Sequence, residues 1–160
     1  MSNKTIYFAI KTALLSILLI PGGAYGMAFL NPLKACTFSE MKIKITLDGS
    51  PAAGAKITRS IDWKEEKTDI FTSDKEGNVL LPAEFESSIT QVLPVEFISS
   101  QSINVEYENR SYLIWIYAKR NPAENFEMNG NPINLACELT DEPKTERKFK
   151  SALKTSCKFL

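Results

Sequence analysis

Met41-Lys-Ile-Lys-Ile-Thr-Leu47 alternates without a break: Met41, Ile43, Ile45 and Leu47 fall on one side of an extended chain, and Lys42, Lys44 and Thr46 on the other. A period of two predicts a half-buried strand. Asp48-Gly49-Ser50-Pro51 and Gly54 supply turn chemistry, and Ala55 to Ile61 alternates again, so the two runs are expected to pair as a hairpin. Trp63 to Lys67 is a charged connection. A third strand is expected over Thr68–Ser73 and a fourth over Asn78–Leu81. Between these two, Asp74, Glu76, Gly77 and Asn78 predict a turn that reverses one strand into the next. Gly77 takes a positive φ there, and Asp74 accepts backbone amides.

After Pro82 the pattern loosens, and Glu84 to Gln91 reads as a loop or a single helical turn. Val95–Ile98 and Ile103–Tyr107 read as strands. Glu108–Ser111 turns the chain into Tyr112–Ala118, which is apolar on both faces and therefore expected at the centre of a sheet. Asn121–Pro132 is a polar loop and Ile133–Leu139 the last strand. Thr140–Leu160 is a polar, lysine-rich tail in which Lys148–Lys154 is expected to form a short helix. Many short strands, frequent turns and little helical periodicity predict an all-β antiparallel sandwich. The expected organisation is a signal segment over 1–26, one sandwich domain over 27–139 and a C-terminal tail over 140–160.

The signal segment is read from Lys4 and Lys11, the apolar run Thr12–Ile20, the break at Pro21-Gly22-Gly23 and the small residues of Ala24-Tyr25-Gly26. Cleavage is expected after Gly26, with Ala28 the next best position. The run is too short, and Lys11 too close to it, for a good membrane anchor. Leu33-Lys34-Ala35-Cys36 has the outline of a lipidation motif, but Lys34 and the distance from the apolar run argue against it. The expected location is the periplasm or the exterior, with no stable membrane span after cleavage. The 19 basic and 19 acidic residues balance, and losing Lys4 and Lys11 leaves a small net negative charge. No basic field exists to attract nucleic acid or anionic lipid.

Three cysteines follow the signal segment. In an oxidising compartment two are expected to pair. Cys137 and Cys157 close the shorter loop, roughly 20 residues, for a stabilisation of about 3 kcal/mol in the chain-entropy model. Pairing of Cys36 with either is the competing arrangement, and a free Cys36 could join two copies of the chain.

Asp48-Gly-Ser-Pro-Ala-Ala-Gly-Ala-Lys-Ile57 followed by Thr72-Ser-Asp-Lys-Glu-Gly-Asn-Val-Leu-Leu-Pro82 resembles a pattern of transthyretin-like and carboxypeptidase-regulatory-like sandwiches. It departs from that pattern at Ser73 and at Val79. A broader likeness resembles an uncharacterised family of small exported bacterial proteins. It rests on Arg59, Trp63, Leu93-Pro94, Gln101, Tyr112-Leu-Ile-Trp115, Lys119, Glu124-Asn-Phe-Glu127, Cys137-Glu-Leu139 and Cys157. The resemblance implies an Ig-like sandwich and an accessory or binding role, and it supplies no catalytic residue.

The chain has no histidine, which removes Ser-His-Asp and Cys-His catalysis and imidazole metal sites. Three scattered cysteines lack zinc-finger spacing. Neighbouring carboxylates such as Glu65 and Glu66, or Asp74 and Glu76, lack the separation across a cleft that glycoside hydrolysis needs. Counting from Asp74 as the first position of a calcium loop places Gly77 at the fourth position and Phe85 at the twelfth, which misses both required residues. No cofactor or metal ion is expected, and the chain is read as a non-enzyme.

Aromatic residues are the candidates for partner binding. Trp115, Tyr117 and Leu113 are expected on one face of a strand, with Tyr112, Ile114 and Ile116 on the other. Either face is buried in the sandwich or open to a partner. Arg59, Trp63, Tyr107, Trp115 and Tyr117 are therefore the candidate partner-binding residues. The expected function is binding of another periplasmic protein, in an immunity or accessory role. The alternative is a carbohydrate- or cell-envelope-binding module.

Overall fold

A computed structural model describes residues 34–89 and 95–160. The expected signal segment and Leu93-Pro94 lie outside the described residues. Thirteen strands are formed among the described residues: β1 (Lys34–Phe38), β2 (Met41–Leu47), β3 (Ser50–Pro51), β4 (Lys56–Asp62), β5 (Glu66–Thr72), β6 (Asn78–Leu81), β7 (Glu84–Ser87), β8 (Ser99–Tyr107), β9 (Arg110–Lys119), β10 (Ile133–Glu138), β11 (Lys144–Glu146), β12 (Leu153–Thr155) and β13 (Cys157–Phe159). One sheet has six strands in the order β11-β12-β9-β8-β4-β5. The second runs β13-β10-β2, with β3 and β6 sharing the far edge of β2. A small third sheet joins β1 to β7. The protein is an all-β sandwich.

Its core lies between the two larger sheets. Met41, Ile43 and Ile45 of β2 and Ile133, Leu135 and Cys137 of β10 face Ile57, Ile103, Val105, Ile114 and Trp115 of the other sheet, all nearly inaccessible. Alternation therefore assigned the sides of β2 and β4 well. It did not assign their partners. β2 and β4 are in different sheets, so the expected hairpin between them does not form. After the Asp48–Gly49 turn the chain pairs back on β2 for two residues only and then crosses to the opposite sheet. Ser73 pins that crossing, its Oγ donating to the Ala52 carbonyl oxygen and accepting from the Ala55 N–H. The ladders are antiparallel as expected of the sandwich, except that β2 pairs with β10 in parallel.

The turn at Gly77 likewise links two sheets, carrying β5 across to β6 beside β2. Its local chemistry is as expected. Gly77 has φ +78°. Asp74 Oδ1 accepts from the N–H groups of Glu76 and Asn78 at 2.9 and 2.7 Å. The Asn78 backbone bond leads the hydrogen bonds that hold the Asp74 carboxyl below its usual range. A methyl group on Gly77 would run into the Ile45 carbonyl oxygen and lie 3.2 Å from Ala52 N.

A bulge changes β9. Ile103 is opposite Trp115 and Asn104 is opposite Leu113, so Ile114 is the extra residue. Ile114 and Trp115 both turn inward, and every position beyond them changes face. Tyr117 and Lys119 point into the core, while Leu113 and Ile116 are exposed. The expected grouping of Leu113 with Trp115 and Tyr117 is therefore broken.

Val95–Ile98 is not a strand, whereas Glu84–Ser87 is one. Lys148–Lys154 forms no helix. The last residues extend both sheets instead: β12 lies along β9, with Leu153 opposite Tyr117, and β13 lies along β10, with Cys137 opposite Cys157. These two cysteines form a disulfide and Cys36 is free. Phe149 is buried, edge-on to Phe159 at 5.1 Å.

Gly77→Ala is expected to destabilise the domain by about 1 kcal/mol or more, since it combines a positive φ with a backbone collision. Urea denaturation of the variant checks this, and an unchanged midpoint would refute the role given to the turn.

Candidate functional site

Two features can carry function: a buried polar centre and a groove on the outer surface. The buried centre is assembled from β1, β8, β9 and the 3-10 turn Phe126–Met128. Because of the β9 bulge, Lys119 follows Tyr117 on the inward face. Its ammonium group meets Glu127, and both residues are fully buried, with Nζ 2.9 Å from Oε2. Lys119 also donates to Ser39 Oγ at 2.9 Å and approaches Cys36 Sγ at 3.5 Å.

Glu127 is equally well satisfied. Its Oε1 accepts from Ser39 N–H and Gln101 Nε2, and its Oε2 accepts from Ser39 Oγ as well as from Lys119. Gln101 Nε2 and Ser99 Oγ donate to the Thr37 carbonyl oxygen, each at 2.8 Å. A buried ion pair repays its desolvation only when the geometry is good and the remaining hydrogen bonds are made. Both conditions hold here. Burial pushes the Cys36 thiol up, with Lys119 and Ser39 acting in the opposite direction.

None of this was singled out as a site from the sequence. Gln101, Lys119 and Glu127 entered only through the resemblance. The available local signal was Lys119 continuing an apolar strand, and Glu127 in a polar loop gave none.

The five candidate partner-binding residues are not brought together. Arg59 is buried: its Nε and Nη2 bind Asp69, Nη2 also reaches Glu84, and Nη1 donates to the Pro82 carbonyl oxygen. The rings of Phe38 and Phe71 lie 4.8 and 5.2 Å from its guanidinium carbon. All its nitrogens are engaged inside the protein. Trp115 and Tyr117 are buried in the core. Trp63 and Tyr107 are half-buried. Trp63 follows the end of β4 that pairs with Ser100, whereas Tyr107 ends β8, seven residues further along and roughly 23 Å away. They cannot form one patch.

The outer groove holds about 600 Å³ and crosses the solvent side of β6, β2 and β10. Register explains its lining: Leu80 lies opposite Lys42, Lys42 opposite Asn134, and Asn78 opposite Lys44. The N–H of Leu160 donates to the Asn134 carbonyl oxygen, which brings the last side chain to the groove. Leu80 and Leu160 are 51% and 79% exposed. The groove is thus largely apolar and carries two lysines, Lys42 and Lys44, and one carboxylate, Asp74.

At the far end of β2, Glu138 fastens the Asp48–Gly49 turn. Its carboxylate accepts from Thr46 Oγ1, the N–H groups of Asp48 and Gly49, and both donors of Thr140. Burial would raise its pKa, but these bonds prevail and hold it down to about 2. Among the described residues, no group of three or more His, Cys, Asp and Glu side chains could hold a metal ion, and no helix is long and apolar enough to cross a membrane.

Fold and site together define a β-sandwich with a buried ionic centre and an open groove. The chain belongs to the family described as the domain of unknown function DUF6795, which matches residues 41–142. No curated protein and no solved structure matches it.

Lys119→Met and Glu127→Gln are each expected to cost about 3–5 kcal/mol, because each strands its partner. Combined, they should cost less than the sum. Chemical denaturation of the three variants measures this, and additive or negligible losses would contradict the coupling. Glu138→Gln should lower stability at neutral pH. The folded carboxyl titrates at about 2 against an ordinary 4.5, so its contribution is complete above the ordinary value and is lost as pH falls through the lower one. The difference between wild type and variant should narrow across that window, and a gap independent of pH would contradict it.

Proposed function

We propose that the chain is an exported, non-enzymatic interaction protein with a transthyretin-like sandwich, and that its partner is another protein. The observation that carries this reading is the groove over β6, β2 and β10. Its apolar floor and exposed Leu80 and Leu160 suit the side chains of a protein segment, and Lys42 and Lys44 suit carboxylates on the same segment. An immunity or accessory role, in which the sandwich covers and blocks its partner, fits a small domain of this kind. Location in the periplasm is supported by the form of residues 1–26 and by the Cys137–Cys157 disulfide. A non-enzymatic role is supported by the lack of histidine in the sequence and by a polar centre sealed from solvent. The carbohydrate-module reading needed an exposed aromatic platform, and Trp115 and Tyr117 are buried.

Affinity capture from periplasmic extract with the wild-type chain, followed by reconstitution with each captured protein in pure form, tests the proposal. The double variant Leu80→Asp, Lys44→Glu should weaken the complex at least tenfold, about 1.4 kcal/mol. Ile70→Asp, on the edge strand β5 of the opposite sheet, should leave it unchanged. Equal binding by all three chains would rule out the groove. Binding to glycans or peptidoglycan with no protein partner would overturn the proposed function itself.

A further inference from the structure

Cys36 is the one cysteine outside the disulfide, and its surroundings restrict what an oxidised sulfur there can do. Its Sγ lies 3.5 Å from Lys119 Nζ, 3.6 Å from Ser39 Oγ and 3.2 Å from the Phe38 carbonyl oxygen. The other two cysteines are joined to each other, so neither offers a thiol. Among these three neighbours the lysine nitrogen is the best nucleophile toward oxidised sulfur. The acid–base groups that such a reaction requires are also present. Glu127 Oε2 is 2.9 Å from Lys119 Nζ and 2.7 Å from Ser39 Oγ, which completes a proton path from the amine back to the sulfur.

We propose that Cys36 and Lys119 form a modification site at which a small hydroperoxide joins Sγ to Nζ as a sulfenamide cross-link. With hydrogen peroxide, the sulfur attacks the O–O bond and becomes a sulfenic acid, releasing one water. Lys119 passes a proton to Glu127, and its neutral amine attacks the sulfur. The S–O bond breaks, and the departing hydroxide takes the proton from Glu127 through Ser39 and leaves as a second water. The excess proton on nitrogen returns to Glu127. Sulfur is oxidised by two electrons and one peroxide is reduced to two waters. Lys119 loses its charge as Glu127 becomes protonated. The product therefore buries no unpaired charge, which would otherwise oppose the step.

Burial makes the reaction slow. The thiol is 1% exposed and is held in its protonated form at neutral pH, and thiolates rather than thiols react readily. The expected behaviour is gradual, stoichiometric modification by an oxidant of about the size of water. The cross-link would tie β1 directly to β9.

Peptide mapping of the purified full-length chain after hydrogen peroxide treatment tests this. Trypsin should release Ala35–Lys42 joined to Ser111–Arg120, uncut at Lys119, with a mass two hydrogens below the sum of the two peptides. Thiol reductant should separate the pair. The treated chain should also melt at a higher temperature than the untreated one, whereas Cys36→Ser should show neither change. Cys36 recovered only as free thiol, or only as sulfinic or sulfonic acid on an uncrosslinked peptide, would overturn the proposal, as would a joined pair that retains an extra oxygen. The wild-type chain alone decides the outcome, so it does not depend on a Lys119 variant folding.

Discussion

The Lys119–Glu127 ion pair organises one end of this sandwich. Two opposite charges in a fully buried place are costly unless every remaining hydrogen-bonding site is filled. Here the filling groups come from far apart in the chain: Ser39 after β1, Gln101 on β8, and Asn125, whose N–H donates to Ser39 Oγ at 2.7 Å. The pair is stable only if β1, β8, β9 and the loop bearing Glu127 arrive together. That requirement gives the short β1 strand a fixed place although its ladder runs only to β7. Arg59 performs a similar task at another point of the interior, where its guanidinium joins β4, β5 and β7 between two aromatic rings. In both cases a cation that looks like a surface residue in the sequence is an internal tie.

Much of the strand content was legible from alternation, because burial of one face imposes a period of two. β2 and β4 were read from that pattern: Met41, Ile43 and Ile45 are buried with Leu47 half-buried, and Ile57, Arg59 and Ile61 are buried. β6, β8 and β10 show the same alternation in their burial. Strand pairing was legible at the Glu108–Ser111 turn, where β8 pairs with β9, and not between β2 and β4. Alternation says which side faces the core but not which strand lies alongside, so two turns read as hairpins are crossings between sheets. β9 shows a second limit. One extra residue in a ladder inverts the faces of everything after it, and Ile114 is not marked as extra by its chemistry. The C-terminal strands were hidden by composition, since three-residue strands with one or two inward side chains leave no periodic signal.

The candidate site was hidden for a related reason. Aromatic residues on a strand draw attention as binding residues, yet Trp115 and Tyr117 have the volume that an interior needs, and the bulge turns both inward. What remains on the outside is less conspicuous: Leu80 in a short edge strand, two lysines on β2, and a terminal leucine. Their proximity comes from the register of β6 and β10 on β2 and from the return of the C-terminus along β10. No local motif encodes it.

The parallel ladder between β2 and β10 has a consequence for how the chain reaches this state. It joins residues from Met41 to Thr46 with residues from Ile133 to Glu138, near opposite ends of the domain. Contacts between distant parts of a chain form late, because the intervening loop must be closed before they give any return. Until β10 arrives, β2 has one unprotected edge, and a strand rich in isoleucine with an open edge is a template for pairing with other chains. Lys42 and Lys44 project from that same strand. They charge an otherwise adhesive segment during the interval in which the first half of the domain is synthesised and the last strands are still missing.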